Sequence, residues 1–238
     1  VLTDADCRMG PQWLAEIARK IDVDTEVVLG LSPYDYRPGL LNAFIRFETF
    51  YTAFQFVGWT GLGLPYMGLG RNLAYRKSFF QHNHGFEKVK GRLSGDDDLL
   101  INAFAKADAT KCMLTKESRT FSSPKESWQA WFQQKTRHLS ASTAYSWKSK
   151  VFLGLFHLAH LWFYLGILLS LLFGFGNPWI WLVFVIRIGL SWFLFGMVNR
   201  QLKEPNLLLL FPVLDLLFFL YNLSIVPIGI IKVPTWTK

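Results

Sequence analysis

The sequence predicts an α/β unit followed by an interfacial helix and about three membrane-spanning helices, and three observations support this. Apolar residues in the first part recur at both strand and helix spacings. Charge is divided unevenly: residues 1–150 hold 20 Lys/Arg and 15 Asp/Glu, whereas residues 151–238 hold 5 and 2. The second part also carries three apolar runs long enough for a bilayer core. The expected divisions are an α/β part over 1–123, an interfacial helix over 124–150 and a membrane region over 151–238.

Val1-Leu2-Thr3 reads as the end of a buried strand running into Asp4-Ala5-Asp6. A D-x-D at the carboxyl end of a strand lies where open α/β sheets bind ligands, and period-two geometry puts both carboxylates on one side. That arrangement suits a divalent metal and a phosphate. The chain begins without an initiator Met and inside this strand, so an N-terminally truncated fragment is expected.

Pro11–Ile21 carries Trp13, Leu14, Ile17, Ala18 and Ile21, a spacing that predicts a helix packed on the sheet, and Glu26–Leu31 reads as the next strand. Gly39–Trp59 is aromatic-rich, with Arg46 and Glu48 as sparse charge. It fits an amphipathic helix on a membrane surface or an ordinary core helix, and the nearby apolar runs favour the surface. Gly58–Gly70 is glycine-rich and leads directly into Arg71-Asn72-Leu73-Ala74-Tyr75-Arg76-Lys77, bringing backbone and cations to one place.

Gly95-Asp96-Asp97-Asp98 precedes the apolar-periodic Leu99, Leu100, Ala103 and Phe104. A single Asp here would be an ordinary helix N-terminus, but three adjacent acids exceed what the helix dipole requires. Ser123-Pro124-Lys125-Glu126 has the form of a capping box with Pro at the first helical position, predicting a helix from Pro124. That helix would place Trp131, Gln134 and Arg137 on one face.

Val151–Phe173 has no formally charged side chain over 23 residues, and as a helix it would extend roughly 34 Å. Pro178–Val198 is apolar except for Arg187, and Leu207–Ile231 except for Asp215, although Pro212 and Pro227 interrupt the last run. Ionisable groups inside spans are costly, so Arg187 and Asp215 are expected to face the bundle and pair. His157 and His160 read as neutral bundle histidines without a carboxylate partner, and His82 and His84 carry no metal assignment. Lys148, Lys150, Arg200 and Lys203 flank the spans, which by the positive-inside rule puts residues 1–150 in the cytoplasm. Cys7 and Cys112 form no disulfide or zinc spacing and suit a reducing compartment.

Taken in order, Asp4-Ala5-Asp6, Gly70 to Lys77, Gly95-Asp96-Asp97 and Gln134-Lys135-Thr136-Arg137-His138 resemble the D-x-D, acceptor-side, E-D and Q-x-x-R-W elements of the family 2 glycosyltransferases. These are inverting enzymes of the GT-A fold, and the likeness is strongest to membrane-embedded members similar to cellulose and hyaluronan synthases. The resemblance covers residues 1 to about 150. The chain departs from the pattern in two places: His138 stands where the family has Trp, and the E-D element is altered to Gly-Asp-Asp-Asp. Alignment of Asp98-Leu99 with the acidic-Leu pair that often follows that element makes Asp96 the base, and a one-residue slip makes it Asp97.

The resemblance implies transfer of a sugar from a nucleoside-diphosphate donor to an acceptor hydroxyl with inversion. Asp4 and Asp6 would hold Mg or Mn on the diphosphate, Gln134 and Arg137 would bind that diphosphate, and Gly70, Arg71, Asn72 and His138 would lie toward the acceptor. Trp131 would either pack on the acceptor or anchor the helix at the headgroups, the anchor being favoured. The strand that binds the nucleobase in the family is not in this sequence, so the fragment is expected to be inactive alone. Expected partners are the donor, a lipid or glycan acceptor and the membrane, without nucleic acid. The expected location is a bacterial inner or plasma membrane, in cell-envelope glycan synthesis. A processive polysaccharide synthase and a non-catalytic membrane protein with a degenerate metal site are the alternatives.

Overall fold

The computed structural model describes residues 1–87, 95–173 and 177–231. Its α/β part carries a three-stranded mixed sheet in the order β3 (Leu73–Tyr75), β2 (Val27–Gly30), β4 (Thr110–Met113). β2 is antiparallel to β3 and parallel to β4. All four residues of β2 are buried, as a central strand covered on both faces requires. A two-residue ribbon, β1 (Arg8–Met9) with β5 (Thr120–Phe121), lies beside this sheet.

The expected strand at the start of the chain is reduced to one bridge. Leu2 pairs with Leu73 through two backbone hydrogen bonds of 2.7 and 3.4 Å, while Val1 is exposed. Asp4 to Cys7 then closes a turn, with Cys7 N–H donating to Asp4 O at 3.0 Å. The turn, rather than strand pleating, sets the relation between Asp4 and Asp6.

α1 (Trp13–Lys20) and β2 match their expected segments closely. The helix expected over Gly39–Trp59 forms as α2 (Leu40–Gly61), but its surroundings differ from those of a surface helix. Seven consecutive residues, Asn42 to Glu48, are buried, and two turns buried all round leave no polar stripe for headgroups. The N-terminal half packs with the membrane-region helices, Phe50 lying 4.3 Å from Phe195 and Phe47 6.0 Å from Phe211 between ring centroids. Further along, Ala53 and Phe56 join the sheet core with Leu29, Leu73 and Ile101. α2 therefore belongs to both cores.

Arg46 and Glu48 are tolerated inside because each has a counter-charge. Arg46 Nε donates to Glu204 at 2.8 Å, and Glu48 pairs with Lys135. After α3 (Lys77–His82) comes α4 (Asp96–Phe104), which opens on Gly95 in the left-handed region at φ 92°.

α5 begins at Trp128, four residues later than the Ser-Pro-Lys-Glu box predicts, and ends at Ala141. Ser122 is held extended by bonds with Pro33 and Asp35, and a residue before proline resists the helical region, so Ser123-Pro124 remains extended. Ser127 caps instead, accepting from Ala130 N–H at 3.2 Å.

Three long apolar helices follow, α6 (Trp147–Leu172), α7 (Pro178–Leu202) and α8 (Leu207–Ile231), each long and apolar enough to cross a membrane. Pro212 and Pro227 lie within α8 without dividing it. Asp215 is fully buried and pairs with Arg187, as the cost of isolated charges inside spans predicts. Its other partners are Tyr164 Oη at 2.6 Å and His160 Nε2 at 3.2 Å. His160 thus has the carboxylate partner that the sequence reading denied it.

Candidate active site

Four segments supply the site, and the short bonds between them place it beside the sheet. Gly70–Asn72 forms a 3-10 turn running into β3. The Gly70 N–H donates to Asp97 Oδ2 in the first turn of α4, and a Cβ at Gly70 would lie 2.6 Å from that oxygen. Only glycine permits this approach. Because Leu2 pairs with Leu73 three residues further on, the D-x-D turn and the acid cluster are tied to the same segment.

The three acids have different surroundings. Asp96 is exposed. Asp97 is mostly withdrawn from water, and burial raises its carboxyl above the ordinary range, with Asp96 adding repulsion and backbone N–H groups opposing it. Asp98 lies deeper and is raised further by burial, and it accepts from Tyr145 Oη at 3.2 Å.

Asp4 and Asp6 are exposed, and their carboxylate oxygens and Cys7 Sγ all lie within 4.8 Å of one another. Two hard oxygen donors suit Mg or Mn, with coordination positions left for phosphate and water. The residues therefore fit the metal implied by the D-x-D. Cys7 joins the group only because the turn brings its sulfur beside the carboxylates.

On α5, Gln134 Nε2 donates to Tyr34 Oη at 3.4 Å. Arg71 stacks on the other side of this contact, its guanidinium carbon 4.4 Å from the Tyr34 ring centroid. His138 is exposed on α5. Protein packed near the ring and the charges of Lys135, Arg137, Arg71 and Lys125 all push its imidazole below the ordinary histidine range. The ring is neutral at physiological pH. The structure thus brings Arg71, Gln134, Arg137 and His138 into one neighbourhood, with Tyr34 touching both Arg71 and Gln134.

Two expected acceptor residues face elsewhere. Asn72 is fully buried: its amide donates to Leu31 O and Ser118 O at 2.7 Å each and accepts from Trp13 Nε1 at 3.0 Å. It ties the turn to the sheet and α1, so it touches no acceptor. Trp131 is 1% exposed, packed against Phe44, Trp128 and Tyr221, so it is neither an acceptor platform nor a headgroup anchor. Tyr34, conversely, was missed. The available signal was position, because it follows β2 at the carboxyl end where open α/β sheets place ligands.

Residues 1–197 match Glycosyl transferase family group 2, a stretch that includes α6 and most of α7. A search of curated proteins returns no match.

Proposed function

Because the chain belongs to Glycosyl transferase family group 2, we propose that it moves a sugar, with inversion, from a nucleoside-diphosphate sugar to a membrane-proximal or lipid-linked acceptor. The observation that carries this reading is Asp97, a half-buried carboxylate with a raised pKa, held by the N–H of Gly70, the residue before Arg71. A general base works best with a pKa drawn toward the operating pH, which favours Asp97 over the exposed Asp96 chosen from register alone.

Asp97 takes the acceptor hydroxyl proton as the oxygen bonds to the anomeric carbon. Asp4 and Asp6 would hold Mg or Mn, which when bound neutralises charge on the departing diphosphate. Arg137 and Gln134 bind and orient the same diphosphate. His138, being neutral and exposed, offers hydrogen bonds to the acceptor where the family's Trp would stack. The catalytic part lies on the cytoplasmic side, supported by Lys148, Lys150, Arg200 and Lys203 at the helix ends. The activity belongs to cell-envelope glycan synthesis in a bacterial inner membrane.

The test uses membranes containing the full-length protein, a panel of labelled nucleotide sugars, and Mg or Mn with and without chelator. The reading predicts metal-dependent transfer from one donor, with inverted configuration in the product. Absence of transfer from every donor by a folded, metal-binding protein would refute it in favour of a non-catalytic role.

A further inference from the structure

Arg46, Arg119 and Arg71 each carry a guanidinium into the protein, and the first two have structural partners. Arg46 donates to Glu204 and to Pro205 O at 3.1 Å. Arg119 donates to Gln201 O at 3.0 Å and Leu202 O at 2.9 Å, closing the last turn of α7. Arg71 has no such acceptor. Its Nη1 is buried and unbonded, and its side chain makes no hydrogen bond to any described residue. Its contact is the stack on Tyr34, and a guanidinium stacked on a ring keeps its in-plane N–H edge for another ligand.

The backbone around Arg71 is held on all sides. Gly70 N–H is fixed to Asp97, Arg71 O accepts from Thr120 Oγ1 at 3.0 Å, and Asn72 is anchored by three side-chain bonds. Tyr34 is fixed by its bridge to Ser122 and its contact with Gln134. A cation preorganised in this way, between the base and the Q-x-x-R helix, is suited to charge that develops during a reaction.

Resting on the transferase reading, we propose that Arg71 is a leaving-group residue that binds the donor diphosphate together with Arg137, rather than a residue of the acceptor side. In the step, the bond from the anomeric carbon to the diphosphate oxygen breaks and its electron pair stays on that oxygen. The acceptor oxygen bonds to the carbon, and its proton passes to Asp97. Arg71 remains protonated and donates in-plane N–H groups to the diphosphate, a planar fork matching phosphate oxygens as a lysine would not.

The experiment measures binding of Mg-pyrophosphate to the complete chain in detergent, for wild type, Arg71→Met, Arg71→Lys and Arg137→Met, with thermal stability recorded on each preparation. Loss of about tenfold or more is expected for Arg71→Met, with a smaller loss for Arg71→Lys and an unchanged melting temperature. Bound pyrophosphate should be displaced by nucleoside diphosphates and not by vesicles containing a polyprenyl diphosphate. Wild-type affinity in folded Arg71→Met, with Arg137→Met impaired, overturns the role of Arg71 alone, as does displacement by the vesicles only. Failure of the wild type to bind pyrophosphate, or indifference to both substitutions, overturns the diphosphate site and the transferase reading with it. If Arg71→Met fails to fold, Arg71→Lys decides: wild-type affinity there contradicts the need for a planar fork.

Discussion

Asp97 and Asp215 are both carboxylates withdrawn from water, and their partners differ. Asp215 meets an arginine, a histidine and a tyrosine from two neighbouring apolar helices, so both its oxygens are bonded. Asp97 is bonded by a backbone N–H and pairs with no cationic side chain among the described residues. A satisfied carboxylate between helices holds them in register. One left above its ordinary pKa, without a cationic partner, can take a proton. The same residue type is structural in one region and reactive in the other because of what surrounds it.

The contrast breaks most sharply at Asp97. Asp97→Asn is expected to lower transfer by about a thousandfold, near 4 kcal/mol of barrier, with the fold intact, whereas Asp96→Asn keeps most activity. A kinetic comparison of the two checks this. Because the raised group must be ionised to act, the wild-type rate should climb with pH through a value above the ordinary carboxylate range and fall below it. The same raised pKa means ionisation of Asp97 costs folding stability as pH rises through that interval, and the stability is fully present below it.

Substitutions at Asp215 should affect stability instead. Asp215→Asn leaves Arg187 without its counter-charge and is expected to destabilise the bundle by about 3 kcal/mol, measured by denaturation in detergent. Arg187→Met with Asp215→Leu should recover much of that loss. Asn72→Ala removes three buried bonds and should cost about 2 to 3 kcal/mol, seen as lower folded yield with donor KM unchanged. Gly70→Ala is the smallest change. Its Cβ displaces the Asp97 carboxylate, so kcat should fall about tenfold with the melting temperature nearly unchanged.

The sequence carried much of this layout. The apolar runs, α1, β2 and the pairing of Arg187 with Asp215 were legible because period, length and the cost of charge in spans are local or absolute constraints. The surroundings of α2 were not, because an aromatic-rich segment has the same spacing whether it meets headgroups or two protein cores. Motif points Asn72 to the acceptor and Trp131 to the headgroups or the acceptor, but their bonds and contacts depend on elements distant in sequence. The start of α5 shifted for the same reason, since pairing of Ser122 with Pro33 and Asp35 overrode a sound local cap. Tyr34 and Cys7 gained roles only once the chain had folded back on itself.

The most direct test measures transfer per folded molecule and melting temperature on the same preparations of Asp97→Asn and Asp215→Asn. The account predicts that Asp97→Asn melts like wild type with transfer nearly abolished, and that Asp215→Asn melts early while its folded fraction turns over normally. A folded Asp97→Asn that transfers at the wild-type rate would contradict it.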